Sequence, residues 1–234
     1  MKQIPLDILA QSDHSFETYL PGPNEWAVAQ LREWVPQQAG QGAWACSAQA
    51  PVYLWGERGV GKTHLLTALA SLWVQRGARV AWFSARTPLP WGLAEGLDLI
   101  VLDECEQFSA EQQHGAFALF VDAATRGVQL MTAGQLPPVD LPLREDLRTR
   151  LGWGHILALR PASEAQSRAV LRREADRRGL FLSDEVMDYL LSRFARDLKH
   201  LMGLLARLDA FALTHKRGLT VPLLRQMLNE EMPV

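Results

Sequence analysis

Residues 51–70 read PVYLWGERGVGKTHLLTALA. The stretch changes character twice. Residues 51–56 are an apolar run closing on a glycine, which reads as a buried strand entering a turn. Residues 62–76 carry the pattern of a helix, with Gly77 in the position that stops one. Between them Gly56-Glu57-Arg58-Gly59-Val60-Gly61-Lys62-Thr63 matches G-x-x-x-x-G-K-T in full, in the strand–loop–helix setting that the pattern requires. Each residue type has a physical reason. Gly56, Gly59 and Gly61 let backbone N–H groups close around phosphate oxygens. Lys62 brings a cation to the β- and γ-phosphates, Thr63 offers a hydroxyl to Mg²⁺, and the helix N-terminus adds its partial positive charge. The expected cofactors are ADP or ATP with Mg²⁺.

Working outward, ARVAWFSA (78–85), LDLIVLDE (97–104), GVQLMTA (127–133) and HILALR (155–160) read as four more strands. A helix over roughly 110–126 starts at a capping box of Ser109 and Gln112. Strands alternating with helices predict an α/β fold, a five-stranded parallel sheet covered on both faces. Asp103 and Glu104 end an apolar strand, where ligands gather in open α/β sheets. Asp103 is the candidate to hold Mg²⁺, and Glu104 to orient or activate an attacking water. An apolar run ending in two acids is weak alone, because acids often simply leave a sheet. Downstream of a phosphate loop it gains force.

Upstream, residues 1–23 mix apolar and turn residues and end in the loop signal PGPN (21–24). Residues 24–36 read as a helix with Trp26, Ala27, Ala29, Leu31, Trp34 and Val35 as its apolar positions, stopped by Pro36. Residues 37–50, small and polar, read as a surface loop. After Pro161 the strands cease. A capping box at 163–166 opens a helix to about Arg178, and Ser183 caps the next. Residues 197–213 are amphipathic, with Leu198, Leu201, Met202, Leu205, Leu208 and Ala212 on one face. A last helix covers roughly 221–231. The expected organisation is an N-terminal segment (1–12), an α/β nucleotide-binding domain (13–160) and a small all-helical lid domain (161–234).

Bulk properties exclude several classes. The 234 residues are 48% hydrophobic and 21% charged, with a formal net charge of −2, so no strong electrostatic pull toward nucleic acid or membrane is implied. Residues 161–234 carry 12 Lys/Arg against 10 Asp/Glu, and the first 160 carry 12 against 16, so neither part is a basic DNA-binding module. Two cysteines, Cys46 and Cys105, make neither a disulfide framework nor a zinc site. The six histidines (14, 64, 114, 155, 200, 215) are scattered, which argues against a metal cluster. No apolar stretch is long enough to span a bilayer, and a cytoplasmic location is expected.

A phosphate-loop α/β domain with a helical lid resembles the AAA+ ATPases. FETYLPGPNEWAVAQL (16–31), YLWGERGVGKTHLL (53–66) and RLGWG (150–154) resemble the nucleotide-binding core of the bacterial replication initiator DnaA. The resemblance covers the chain after residue 12 and ends with the lid, so no helix-turn-helix DNA-binding domain is expected. A short core of this kind is similar to the Hda family, the regulatory inactivators of DnaA. In that family an N-terminal segment binds the sliding clamp, the β subunit of DNA polymerase III. Here Gln3, Leu6 and Ile8 fit Q-x-x-L-x-[L/I]. Pro5 favours an extended segment, Leu6 and Ile8 can fill an apolar groove, and Gln3 can hydrogen-bond at its edge. The bland alternative is an N-terminal strand docked on its own domain.

The resemblance also implies an arginine that completes a partner's ATP site. It points to Arg150, although Arg144 and Arg148 lie close by and residue spacing does not choose among the three. Arg196 matches the lid arginine that reaches back to bound nucleotide. One departure stands out. Where DnaA-type proteins place a polar sensor beside the γ-phosphate, this chain has Ala133, Gly134 and Gln135, with Thr132 one position early. That predicts weak intrinsic ATPase activity at most. The expected function is therefore an ADP-bound activator of a partner's ATPase. It would bind the DNA-loaded clamp, touch DNA only through the clamp, and promote hydrolysis of DnaA-bound ATP, which prevents re-initiation. Self-association would add avidity on a clamp ring. Two alternatives stay open. One is an ATP-driven helicase loader or adaptor of the same group. The other is a binding module in which ADP is structural and Arg150 inert.

Overall fold

The computed structural model describes residues 14–34, 37–39, 43–45, 50–194 and 198–230. The chain divides into two compact units, Met1–Arg160 and Pro161–Val234.

The first unit is built on a five-stranded sheet of β3 (Val52–Trp55), β4 (Val80–Phe83), β5 (Leu99–Leu102), β6 (Gln129–Gly134) and β7 (His155–Ala158). The strand order is β4-β5-β6-β3-β7, and every pairing is parallel. This is the predicted sheet. Strands of Val, Leu and Ile suit it because both faces are covered. Alternation decides which face each side chain serves. Val52, Leu54, Leu99, Val101, Met131 and Ala133 pack with Leu31, Leu65, Leu69 and Trp73 from α1 (Glu25–Glu33) and α2 (Lys62–Gln75). Tyr53, Ile100, Leu102 and Leu130 point the other way. They pack with Leu119, Phe120, Leu147 and Leu151 from α3 (Ala110–Arg126) and α4 (Glu145–Leu151).

Several expectations need correction. Of the predicted apolar positions, Ala27, Leu31 and Trp34 are buried, and Val28 joins them, while Trp26 is 64% exposed and Ala29 also faces outward. The segment 37–50 is not all loop: β1 (Gln37–Ala39) and β2 (Ala43–Ala45) form an antiparallel hairpin. Its small residues masked a strand signal that rests on backbone pairing. Helix α4 carries no sequence expectation, because seven residues are too few for a visible period. Its acids Glu145 and Asp146 lie in the first turn and Arg148 and Arg150 in the last, the arrangement that a helix dipole favours. The Ser109–Gln112 and Ser163–Gln166 capping boxes both form.

The second unit consists of α5 (Glu164–Arg177), α6 (Asp184–Phe194), α7 (Leu198–His215) and α8 (Val221–Glu230). Leu171, Met187, Leu190, Leu201, Leu205, Leu208, Leu223 and Leu224 fill its core. Among the described residues, no helix is long and apolar enough to cross a membrane.

The first unit is closed by a polar clasp. Asn24, buried at the end of a 3₁₀ turn (Gly22–Asn24), donates from Nδ2 to the Arg160 carbonyl at 3.0 Å. Its Oδ1 accepts from the Arg160 N–H at 2.7 Å. The amide thus satisfies both backbone groups of the residue that ends the unit. Asn24→Ala strands both of these backbone groups and is expected to lower the unfolding free energy by about 2–4 kcal/mol. A urea titration of the variant against the parent chain, read by circular dichroism, measures the loss.

Candidate functional site

Strand β3 ends at Trp55, and the chain leaves it through Gly56. That glycine has φ +152°, and a Cβ on it would collide with the Leu159 carbonyl oxygen. Gly59 also has positive φ. Gly61, at φ +95°, is the residue from which α2 starts, and a Cβ there would come within 2.6 Å of the Tyr19 ring. Gly56 and Gly61 are therefore demanded by space as well as by backbone angle.

The loop brings the predicted side chains together. Lys62 Nζ donates to the carbonyls of Gly56, at 2.6 Å, and Glu57, at 2.9 Å. Its ammonium curls back over the loop. Burial pushes its pKa down, and the carboxylates of Glu106, Asp103 and Glu104 oppose that shift. Thr63 Oγ1 donates to Asp103 Oδ2 at 2.7 Å, joining residues 40 apart in sequence. Asp103 is buried, which raises its pKa, while Thr63 and the Glu104 N–H, 2.9 Å from Oδ1, hold the carboxylate charged. Glu104 itself sits at φ 56°, ψ 44°. A left-handed non-glycine residue costs of order 1 kcal/mol, and such strain collects at functional sites.

A half-buried lysine, a hydroxyl beside a carboxylate and a glycine loop at a helix N-terminus fit a nucleoside polyphosphate with Mg²⁺. Thr63 and Asp103 supply the hard oxygens, and Mg²⁺ needs few protein ligands because it keeps water and phosphate. The missing sensor has a structural counterpart. Thr132 is fully buried, and its hydroxyl donates to the Val52 carbonyl at 3.0 Å, so it serves the sheet.

The stretch 15–24 ahead of α1 braces the loop, a role that sequence reasoning did not assign. The Tyr19 hydroxyl donates to the Val60 carbonyl at 3.2 Å and accepts from Asn24 Nδ2 at 3.0 Å. His64, on the first turn of α2, donates from Nε2 to the Ser15 carbonyl at 2.9 Å and meets the rings of His14 and Tyr19 edge-on. The motif signals end at Thr63, and nothing in the spacing marks Tyr19 or His64 as its neighbours.

The three candidate arginines have different surroundings. Arg144 pairs with Asp146 at 2.6 Å. Arg148 lies in the last turn of α4. Arg150 lies with its guanidinium carbon 4.2 Å from the centroid of the Trp153 ring and 6.0 Å from that of Phe117. Trp153 is itself 65% exposed. Gln3, Leu6, Ile8 and Arg196 lie outside the described residues.

His64 carries a pH prediction. Burial pushes its pKa from 6.5 down to about 4. The unfolded chain therefore binds a proton that the folded one refuses, so this contribution to stability is complete above pH 6.5 and shrinks as pH falls toward 4. Between pH 7 and pH 5 the loss is about 2 kcal/mol. Urea unfolding at both pH values checks it: His64→Asn is expected to show that much less pH dependence than the parent.

Comparison with known proteins agrees with this geometry. Residues 10–88 match the family model described as the bacterial DnaA ATPase domain, and residues 164–228 match the one described as Hda, lid domain. Among solved structures, domain III of the Thermotoga maritima replication initiation protein DnaA superposes with a TM-score of 0.76 at 19% identity, over 98% of each chain. AMPPCP-bound DnaA from Aquifex aeolicus gives 0.67 at 22% identity, over 85% of this chain and 66% of that one. The Thermotoga maritima RuvB Holliday junction branch migration motor gives 0.59 at 18%, over 77% and 61%. At these identities the likeness is one of fold. With the two family models matching on either side of the unit boundary, the chain is a DnaA-related AAA+ protein with a lid of the Hda type.

Proposed function

We propose that this protein is a nucleotide-bound regulator that promotes hydrolysis of ATP held by the initiator DnaA, acting from the DNA-loaded sliding clamp. The observation that carries this reading is the match of residues 164–228 to the Hda lid, on a chain whose other unit matches the DnaA ATPase domain.

In this reading Gly56, Gly59, Gly61 and Lys62 hold the phosphates of ADP, and Thr63 and Asp103 hold Mg²⁺. Glu104 orients water. Bound nucleotide supplies the charge that neutralises Lys62 and orders the loop. Intrinsic turnover is weak, because Thr132 is engaged with β3 and residues 133 and 134 carry no polar side chain.

Arg150 acts on the partner. Its stacking on Trp153 supports this choice over Arg144, which is paired with Asp146. A guanidinium on an aromatic face keeps its donor edge available, whereas an ion-paired one must first give up its partner. Delivered to a phosphoryl-transfer transition state, such a group is worth on the order of 10³–10⁵ in rate. Gln3, Leu6 and Ile8 form the clamp-binding hook, so the reaction waits for a clamp loaded on DNA.

The test is single-turnover hydrolysis of labelled ATP prebound to DnaA, with this protein, ADP and DNA-loaded clamp added. Acceleration is expected. Arg150→Ala is expected to lower it by at least about 100-fold with ADP affinity unchanged. Gln3→Ala is expected to remove the clamp-dependent part alone. No acceleration by the intact protein would overturn the reading, and rapid hydrolysis of its own ATP would favour a loader. Separately, Lys62→Ala is expected to weaken ADP binding by about 100-fold or more in calorimetry, since a half-buried cation to phosphate is lost.

A further inference from the structure

This inference rests on the nucleotide reading above and adds a determinant of which nucleotide the site prefers. Strand β6 lies between β3, which carries the glycine loop, and β5, which carries Asp103. In register, Gly134 pairs with Trp55, the residue before the loop, and Thr132 pairs with Leu102, the residue before Asp103. The end of β6 is therefore the ground between Lys62 and the acidic pair.

Glu106 reaches that ground. It sits on the 3₁₀ turn Cys105–Gln107, and its Oε2 accepts from the Gln135 N–H at 3.2 Å. Gly134 leaves the room for it: a Cβ there would collide with the Tyr53 hydroxyl and lie 3.3 Å from the same Oε2. The Tyr53 hydroxyl is in turn fixed on the Leu136 carbonyl at 2.6 Å. A backbone amide and an absent side chain thus hold a carboxylate over the end of the central strand. Of the carboxylates that act on the Lys62 ammonium, Glu106 acts most strongly, ahead of Asp103 and Glu104.

We propose that Glu106 is a specificity residue that makes the site prefer a nucleoside diphosphate to a triphosphate. In loops of this kind the lysine serves the outer phosphates. A triphosphate brings further negative charge to a lysine on which a fixed carboxylate already acts, and like charges in a partly buried site repel. A diphosphate brings less. At the end of β6 the Thr132 hydroxyl is already bonded to the Val52 carbonyl, and residues 133 and 134 have no polar side chain.

The experiment is titration calorimetry of the full chain with Mg²⁺-ADP and with the non-hydrolysable triphosphate analogue AMPPCP. The parent is expected to bind ADP at least about tenfold more tightly. Glu106→Gln keeps an oxygen for the Gln135 N–H and removes only the charge. It is expected to narrow that ratio on the order of tenfold through tighter triphosphate binding, with ADP affinity within about twofold. Glu106→Ala, with thermal unfolding as a folding control, is expected to narrow it likewise. Equal affinities in the parent, or a ratio that neither variant changes, would overturn the role of Glu106 and leave the nucleotide reading standing. A parent chain that binds neither ligand would overturn both.

Discussion

Everything at the site is referenced to where β3 ends. That strand is hydrogen-bonded on both edges, to β6 and β7, and packed on both faces, with Val52 and Leu54 on one side and Tyr53 on the other. A strand held in four directions has no freedom of register, because a slip by one residue would send its side chains to the wrong core. The loop after Trp55 therefore begins at a fixed point, and Gly56 turns there because the Leu159 carbonyl leaves no space for a Cβ. Parallel pairing with β6 then sets Gly134 beside the loop. Pairing of β6 with β5 sets Asp103 one strand further on, within reach of Thr63.

The loop is braced from outside the sheet as well. Tyr19, Asn24 and His64 link the segment before α1 to the loop carbonyl of Val60, to the first turn of α2 and to Arg160. These contacts are nearly all hydrogen bonds to backbone groups, so they fix the shape of the loop without placing further charge in it. Its two ionisable members, Tyr19 and His64, are both pushed toward their neutral forms by burial. Charge around the Lys62 ammonium comes from three acids on one short stretch, Glu106, Asp103 and Glu104, and from Arg58 of the loop. Burial disfavours the charged forms of Lys62 and Asp103 alike. A lysine and acids that are partly desolvated together tolerate one another better than either tolerates an apolar surround, and such a site is sensitive to any further charge.

The second unit shows a different economy. Its helices rest on a leucine-rich core, and its helix starts rely on capping side chains, Ser163 and Ser183. The polar surface is laced with pairs such as Arg168–Asp188 and Arg172–Asp184. Exposed pairs of this sort add little each, so the apolar core carries the stability of this unit.

The sequence by itself determined the five strands of the parallel sheet, the helix starts other than that of α4, the glycine loop and the acidic strand end, because these depend on local pattern. Alternation at period two, capping residues and the backbone freedom of glycine act over a few residues and leave a mark that can be read. It marked the helical face of α1 less well, since Trp26 is apolar yet lies outside the core, and whether a tryptophan is covered depends on what packs against the helix. Only the tertiary structure decided that the Thr132 hydroxyl serves Val52, that Tyr19 lies against Gly61, that Arg150 rests on Trp153, and that Glu106 turns back onto Gln135. Except for Arg150 and Trp153, which share one helix end, these partners lie far apart in sequence, and their contact follows from the strand order β4-β5-β6-β3-β7 and from the packing it imposes. Strand order is a property of the whole chain, set by which faces must be buried together, and no local pattern carries it.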